Sequence, residues 1–287
     1  MWNPYSEPRI LPYSYLDPRL FFMTISPATK DVPGPPTREE LLNDYPAKFT
    51  WEQLKTFVNS GDLGLLKRDK TLQKRYALWA VGLREKYGGM VNYLQNYRLQ
   101  WGKRDSLSVL QSALPDDAFP FDTPTLNGNG HTNLPPYFTV STPIEYISVI
   151  QNDWPYSVPP EVEHALIWTK VPIYHPDISH PSIAKRLEQD GLWGFTGNTS
   201  PPPSPSTLHL CLPALADWGI TKDKMIVSPK GTPEEEELVR KAGEHVNEYV
   251  KRRWNEDEWE TAWFVNPPRL QSVPGLAHVH VFARKKN

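Results

Sequence analysis

A single cysteine, Cys211, stands among 287 residues, so no intramolecular disulfide framework can staple this chain. So little cysteine fits the reducing cytosol, where the protein is expected to reside. There is no run of about 18 apolar residues, which excludes a helical membrane span. The opening stretch, MWNPYSEPRILPYSYLDPRLFF, lacks a basic start followed by an unbroken apolar core, so no secretory signal is expected and the sequon at Asn198 should be silent. GxSxG, P-loop, GxGxxG, HExxH and CxxC motifs are all missing. Their absence weakens serine-hydrolase, nucleotide-cofactor and zinc-enzyme readings.

Proline is plentiful instead, 31 residues, about twice the usual share. It clusters in VPGPPT (32–37), SVPPEV (157–162) and SPPPSPST (200–207), which read as extended connectors. Eleven tryptophans and 13 tyrosines require a packed interior or a binding surface. Residues 1–36 read as an extended arm rich in proline and aromatics, and 37–287 as one domain. Within that domain 37–113 is helical and 136–287 contains a sheet, with a structureless loop over 114–135.

Capping boxes open two short helices, Thr37 with Glu40 and Thr50 with Gln53, and Gly61 is positioned to stop the second. In DKTLQKRYALWAVGLREKYGG, Leu72, Tyr76, Trp79, Leu83 and Tyr87 fall on one helical stripe. MVNYLQNYRLQW predicts a second helix with Met90, Leu94, Tyr97 and Trp101 on one face, making a helical hairpin. YFTVS (137–141) and HALIWTKVPIY (164–174) read as strands. SIAKRLEQDGLWGF reads as a short helix, and TPEEEELVRKAGEHVNEYVKRRW as a long one capped by Thr232. WETAWFV and AHVHVFAR close the chain as neighbouring strands. Helices first, then strands mixed with helices, predict an α+β fold with a small antiparallel sheet.

The net charge of −2 conceals an asymmetry. Between residues 67 and 104 ten basic side chains face two acidic ones, so this segment carries +8 and the remainder −10. Lys67, Lys70, Lys74 and Arg84 project opposite the apolar stripe. Such a row is either an ordinary solvated helix face or a surface for a phosphate backbone, and flanking aromatics suit single-stranded or folded RNA better than duplex DNA.

AHVHVFAR places His278, His280 and Phe282 on one strand face and Val279, Val281 and Ala283 on the other. Paired imidazoles can ligate zinc, pack as hydrogen-bonded core residues, or move protons near neutral pH. H-x-H alone is weak evidence for a metal, and none is expected. NDWPYSVPPEVEHALIW adds Asn152, Asp153, Glu163, His164 and Trp168, and WFVNPPRLQS adds Asn266 and Ser272. These could meet at one rim of the sheet.

The successive blocks RYALWAVGLREKYGGMVNYLQNYRLQW, NDWPY, EHALIWTKVPI and NPPRLQSVPGLAHVHVFAR resemble a fungal family of unknown-function domains that includes N-acetylglucosamine-induced proteins and arginine-containing cyclodipeptide synthases. The resemblance runs from about Tyr45 to Arg284. The proline-rich arm, the 114–135 loop and SPPPSPST have no counterpart in it. It implies an enzyme joining arginine from arginyl-tRNA and a second aminoacyl group into a cyclo-Arg-Xaa diketopiperazine. The ester is already activated, so neither ATP nor a cofactor is implied. The same resemblance implies that His278 and His280 supply a base and its partner, that His164 or Asn266 stabilises charge, and that Glu163 or Asp153 forks with the guanidinium, with Asn152, Trp168 and Ser272 completing the pocket. Lys67, Lys70, Lys74, Arg75, Arg84, Arg98, Lys103 and Arg104 would hold tRNA acceptor arms; neither DNA nor a membrane is an expected partner. Ser272 and Cys211 are the candidates for an acyl carrier, with direct transfer between two tRNAs as the default. Two other readings use the same residues: a non-synthase role in amino-sugar metabolism or its regulation, and a non-catalytic RNA-binding adaptor.

Overall fold

The computed structural model describes residues 34–105, 107–114, 135–226, 228–229, 231–271, 273 and 275–286. Nearly all of the expected arm and of the 114–135 loop lies outside these residues, as does Ser272. In chain order the elements are α1 (Arg38–Asp44), α2 (Trp51–Ser60), α3 (Lys70–Tyr87), α4 (Met90–Tyr93), β1 (Ile147–Gln151), β2 (Val162–Thr169), α5 (Ala184–Asp190), β3 (Leu192–Thr196), α6 (Leu212–Leu215), α7 (Pro233–Ala242), α8 (Glu244–Arg253), β4 (Trp259–Val265) and β5 (Ala277–Lys285), with short 3-10 turns between. The fold is α+β. The strands of the described residues form one antiparallel sheet in the order β1-β2-β5-β4-β3.

Both capping boxes form: Thr37 and Thr50 accept the backbone N–H of Glu40 and Gln53, whose side chains bond back. Gly61 takes the left-handed C-cap, φ 74°. A third box at Thr232 opens α7. The long C-terminal helix is broken at Gly243, where a Cβ would lie 2.9 Å from the Trp263 ring, so α7 and α8 are separate. The predicted helix after Gly89 is short, passing at Leu94 into a π turn closed by the Leu99 N–H on the Leu94 carbonyl, 2.9 Å. That wider turn swings Tyr97 outward, to 60 % exposure, off the face it was expected to share.

The expected strand 137–141 does not form. Thr139 N–H donates to Thr142 Oγ1 and Ser141 N–H to Thr139 Oγ1, and these hydroxyl turns compete with extended pairing. β2 stops at Thr169, whose hydroxyl takes the Val171 N–H just before Pro172, a residue with no N–H to donate. Two strands lie outside the sequence expectation: β1, buried along its whole length, and β3, which follows directly when Gly191 ends α5.

The sheet is packed on both faces. Val149, Ala165, Ile167, Trp263, Val279 and Val281 meet Val246, Tyr249 and Val250 of α8 on one side. The other face carries two apolar clusters. Ala262, Phe264 and Phe282 pack under Leu54, Phe57 and Val58 of α2. Ile150, Leu166 and Trp168 pack under Leu94, Leu99, Val273 and Leu276. Burial of each such side chain stabilises the fold by about 1.5–3 kcal/mol. Polar side chains fill the seam between the two clusters.

Candidate functional site

β2 and β5 pair with Leu166 opposite His280 and Trp168 opposite His278, while Trp168 to Leu166 to His164 alternates along one face. His164 therefore sits diagonally across from His280, and all three imidazoles share the seam. They are 3–5 % exposed. Their surroundings are aromatic: Phe264 lies parallel to His280 at 4.6 Å, Trp168 stacks on His278 at 4.3 Å, and Tyr156 stacks on both His164 and His280 at 5.0 and 5.7 Å.

The hydrogen bonds define the tautomers. The Tyr156 backbone N–H, which can only donate, reaches His164 Nδ1 at 3.2 Å. A neutral His164 therefore carries its proton on Nε2, 3.0 Å from His280 Nδ1, and donates it there. His280 in turn is protonated on Nε2, which lies 3.2 Å from the Asn266 side-chain amide and donates once the amide oxygen is turned to the ring. Asn152 Nδ2 lies 3.4–3.5 Å from both ring nitrogens of His164, and Asn152 Oδ1 accepts the Trp154 N–H. His278 stands outside this chain. Its Nδ1 donates to the Leu276 carbonyl at 3.2 Å, leaving the Nε2 lone pair without a hydrogen bond among the described residues.

Burial keeps the three rings neutral. It lowers His278 to about 4, against a smaller upward pull from the Leu276 carbonyl. His164 and His280 are driven well below the usual imidazole range, first by burial and then by neighbouring charge, including that of Arg68.

The imidazole pair lies between two cavities. One, of about 60 Å³, is lined by Tyr76, Trp79, Tyr93, Trp154, His278 and His280. The other, of about 220 Å³, is lined by His164 and Tyr156 with Leu41, Leu72, Val158 and Val162. The apolar stripe of α3 thus serves two ends: Leu72 and Leu83 are buried, while Tyr76 and Trp79 roof the smaller cavity.

His164, His278, His280, Asn152, Asn266 and Trp168 are brought together. Glu163 borders the larger cavity with His164, but strand alternation turns it from the imidazole face, and its carboxylate accepts the Ala113 N–H at 2.5 Å, the Ser112 hydroxyl at 2.9 Å and the Gln151 amide at 3.0 Å. Asp153 lines the smaller cavity but is already forked by Arg98, at 2.8 and 2.9 Å, so it is not free to bind a substrate guanidinium. The same bonds, with Asp105, remove Arg98 from the expected basic surface. Arg75 is held by Glu40 and the Gly34 carbonyl, and Lys67 is partly buried. Lys70, Lys74, Arg84, Lys103 and Arg104 remain on the exposed surface. Cys211 is buried and its thiol pushed up by burial, which disfavours the thiolate an acyl carrier needs. Two residues of the site carried no sequence signal of their own: Tyr156, recognisable only as the end of NDWPY, and Arg68, one cation among ten.

Among the described residues no group of three His, Cys, Asp or Glu is arranged to hold a metal ion, and no helix is long and apolar enough to cross a membrane. The chain belongs to the family described as "Protein of unknown function (DUF3605)", whose model matches residues 50–189 and 221–284. It is similar to N-acetylglucosamine-induced protein 1 of Candida albicans, 23% identical over 138 residues that make up 48% of this chain and 49% of that protein. It is also similar to the uncharacterized protein YPL067C of Saccharomyces cerevisiae, 27% identical over 146 residues, 49% of this chain and 59% of that one. The chain thus spans only about half the length of these relatives. A solved chain, "Crystal Structure of HTC1", matches 82% of this chain and 85% of its own at 21% identity, with a TM-score of 0.35.

Proposed function

We propose that this protein is a cytosolic aminoacyl-transferring enzyme that uses arginyl-tRNA and a second aminoacyl-tRNA to make a cyclo-Arg-Xaa diketopiperazine. The observation that carries the reading is the neutral imidazole cluster set between two separate cavities. A condensation of two acyl groups needs two seats and a proton acceptor between them. The amine of one aminoacyl ester attacks the carbonyl of the other, forming an amide and releasing a tRNA hydroxyl. The new terminal amine then attacks the remaining ester, closing the six-membered ring and releasing the second tRNA. In each step one proton leaves the attacking nitrogen and one returns to the departing oxygen. His278, with a free Nε2 lone pair, takes that proton and returns it, and the His164–His280–Asn266 chain holds the neighbouring rings in place. Exposed Lys70, Lys74 and Arg84 on α3 offer the phosphate contacts.

The test is mass spectrometry of a host expressing this chain alone and fed labelled arginine. A labelled cyclo-Arg-Xaa that vanishes with His278→Ala supports the reading, and full product from that variant would remove His278 from the chemistry. An amino-sugar role is the second reading, prompted by the name of the Candida relative. It gains if soluble protein yields no diketopiperazine and instead binds N-acetylglucosamine or its phosphates. A non-catalytic adaptor would instead lose function only when Lys70, Lys74 and Arg84 are reversed in charge.

A further inference from the structure

Arg68 is a cation without a counter-ion. Its Nε donates to the Trp154 carbonyl at 2.7 Å and its Nη1 to the Gln73 amide oxygen at 3.1 Å, both neutral acceptors, and it forms no ion pair among the described residues. The rings of Tyr76 and Tyr156, 4.7 and 5.4 Å from its guanidinium carbon, hold it in place. It lines the smaller cavity together with His278 and His280, and every imidazole there is neutral. The other arginine of this region, Arg98, is fully compensated by Asp153 and Asp105. A partly buried guanidinium whose Nη2 has no acceptor among the described residues, lining a largely aromatic cavity, is suited to an anionic oxygen. Two further donors, the indole N–H groups of Trp154 and Trp168, belong to residues lining the same cavity and are buried without an acceptor.

We propose that Arg68 makes this cavity an oxyanion site, which takes the negatively charged oxygen of an acyl carbon while His278 accepts the proton of the attacking amine. The inference rests on the acyl-transfer reading above and adds the group that stabilises its tetrahedral intermediate. As the amine nitrogen bonds to the carbonyl carbon, the C–O π pair moves to oxygen and is held by Arg68. It returns when the tRNA oxygen leaves with the proton. The cavity is small, about 60 Å³.

The test compares binding of N-acetyl-L-arginine, a carboxylate, with its neutral amide by calorimetry on the full chain. The carboxylate should bind at least about tenfold more tightly, Arg68→Gln should abolish that difference, and Arg68→Lys should restore part of it. Equal binding of the two probes, no binding of either, the same preference in folded Arg68→Gln, or equal displacement by inorganic phosphate would each overturn the proposal. The wild-type comparison needs no variant, so a misfolded Arg68→Gln does not rescue it. Product with no Arg68-dependent preference removes the oxyanion site alone. The preference without any product keeps the site and removes the synthase reading.

Discussion

Acidification should unfold this protein through its buried histidines well before its carboxylates protonate. His278 has an ordinary value of 6.5 once unfolded but about 4 in the folded chain, where burial penalises the charged ring. Between those values the unfolded chain binds the extra proton, so stability is complete above about pH 7 and declines as pH falls. The whole gap is worth about 3 kcal/mol, of which about 2 kcal/mol is lost by pH 5. His164 and His280 are shifted in the same direction and add to the loss. Glu260, ordinarily 4.5 and about 2 when folded, adds only about 0.2 kcal/mol by pH 5, and that part is the same in wild type and a His278 variant. Urea unfolding at pH 7.5 and pH 5, with an m of about 3 kcal/mol per M, should show a midpoint lower by about 0.7 M at pH 5 for His278 alone. His278→Gln should lose that part of the difference, because its amide does not titrate. Contributions from the raised carboxyls Asp62 and Asp190 cancel in the comparison. An equal pH slope in wild type and variant, or an NMR titration of His278 near 6.5, would refute the reasoning.

Two further outcomes follow from the packing. Glu260, 2 % exposed, accepts from Trp51 Nε1, from the Thr199 N–H and hydroxyl, and from Arg284. Burial pushes its carboxyl up, but the bonds from Thr199, Arg284 and Trp51 prevail and hold it at about 2. Glu260→Gln should therefore cost about 2–3 kcal/mol at pH 7, discounted because Arg284 is partly solvated, as a lower urea midpoint. The wild-type advantage should fade as pH falls from 4.5 toward 2. Gly191 has φ 78°, and a Cβ there would lie 2.2 Å from the Val265 carbonyl oxygen. Gly191→Ala should cost more than about 3 kcal/mol by urea unfolding or leave no soluble protein, and a near-neutral result would show that the α5–β3 turn can relax.

Local chemistry made much of this fold legible. Thr37, Thr50 and Thr232 announce their helices because a hydroxyl three residues ahead of Glu or Gln is a self-contained bonding unit. β1 and β3 carry no such local signal: the five buried residues of β1 show no alternation, and LWGFT follows its helix with only Gly191 between. Of the candidate site, the imidazoles of β5 are visible as a pair, whereas the partners that occupy Asp153 and Glu163 are not.

Sequence alone determined that His278 and His280 share a face, since successive residues of a strand point to opposite sides whatever it pairs with. It likewise determined the α+β class and the cation-rich segment. Tertiary structure decided the rest. The β2–β5 register set His164 rather than Glu163 beside His280, Arg98 reached across 55 residues to occupy Asp153, and the chain around Tyr156 carried its N–H to His164. Such pairings depend on how distant segments pack together, and no short window of sequence contains both partners. Whether a charged group is spent on an opposite charge, as Arg98 is, or meets only neutral acceptors among the described residues, as Arg68 does, follows from that packing.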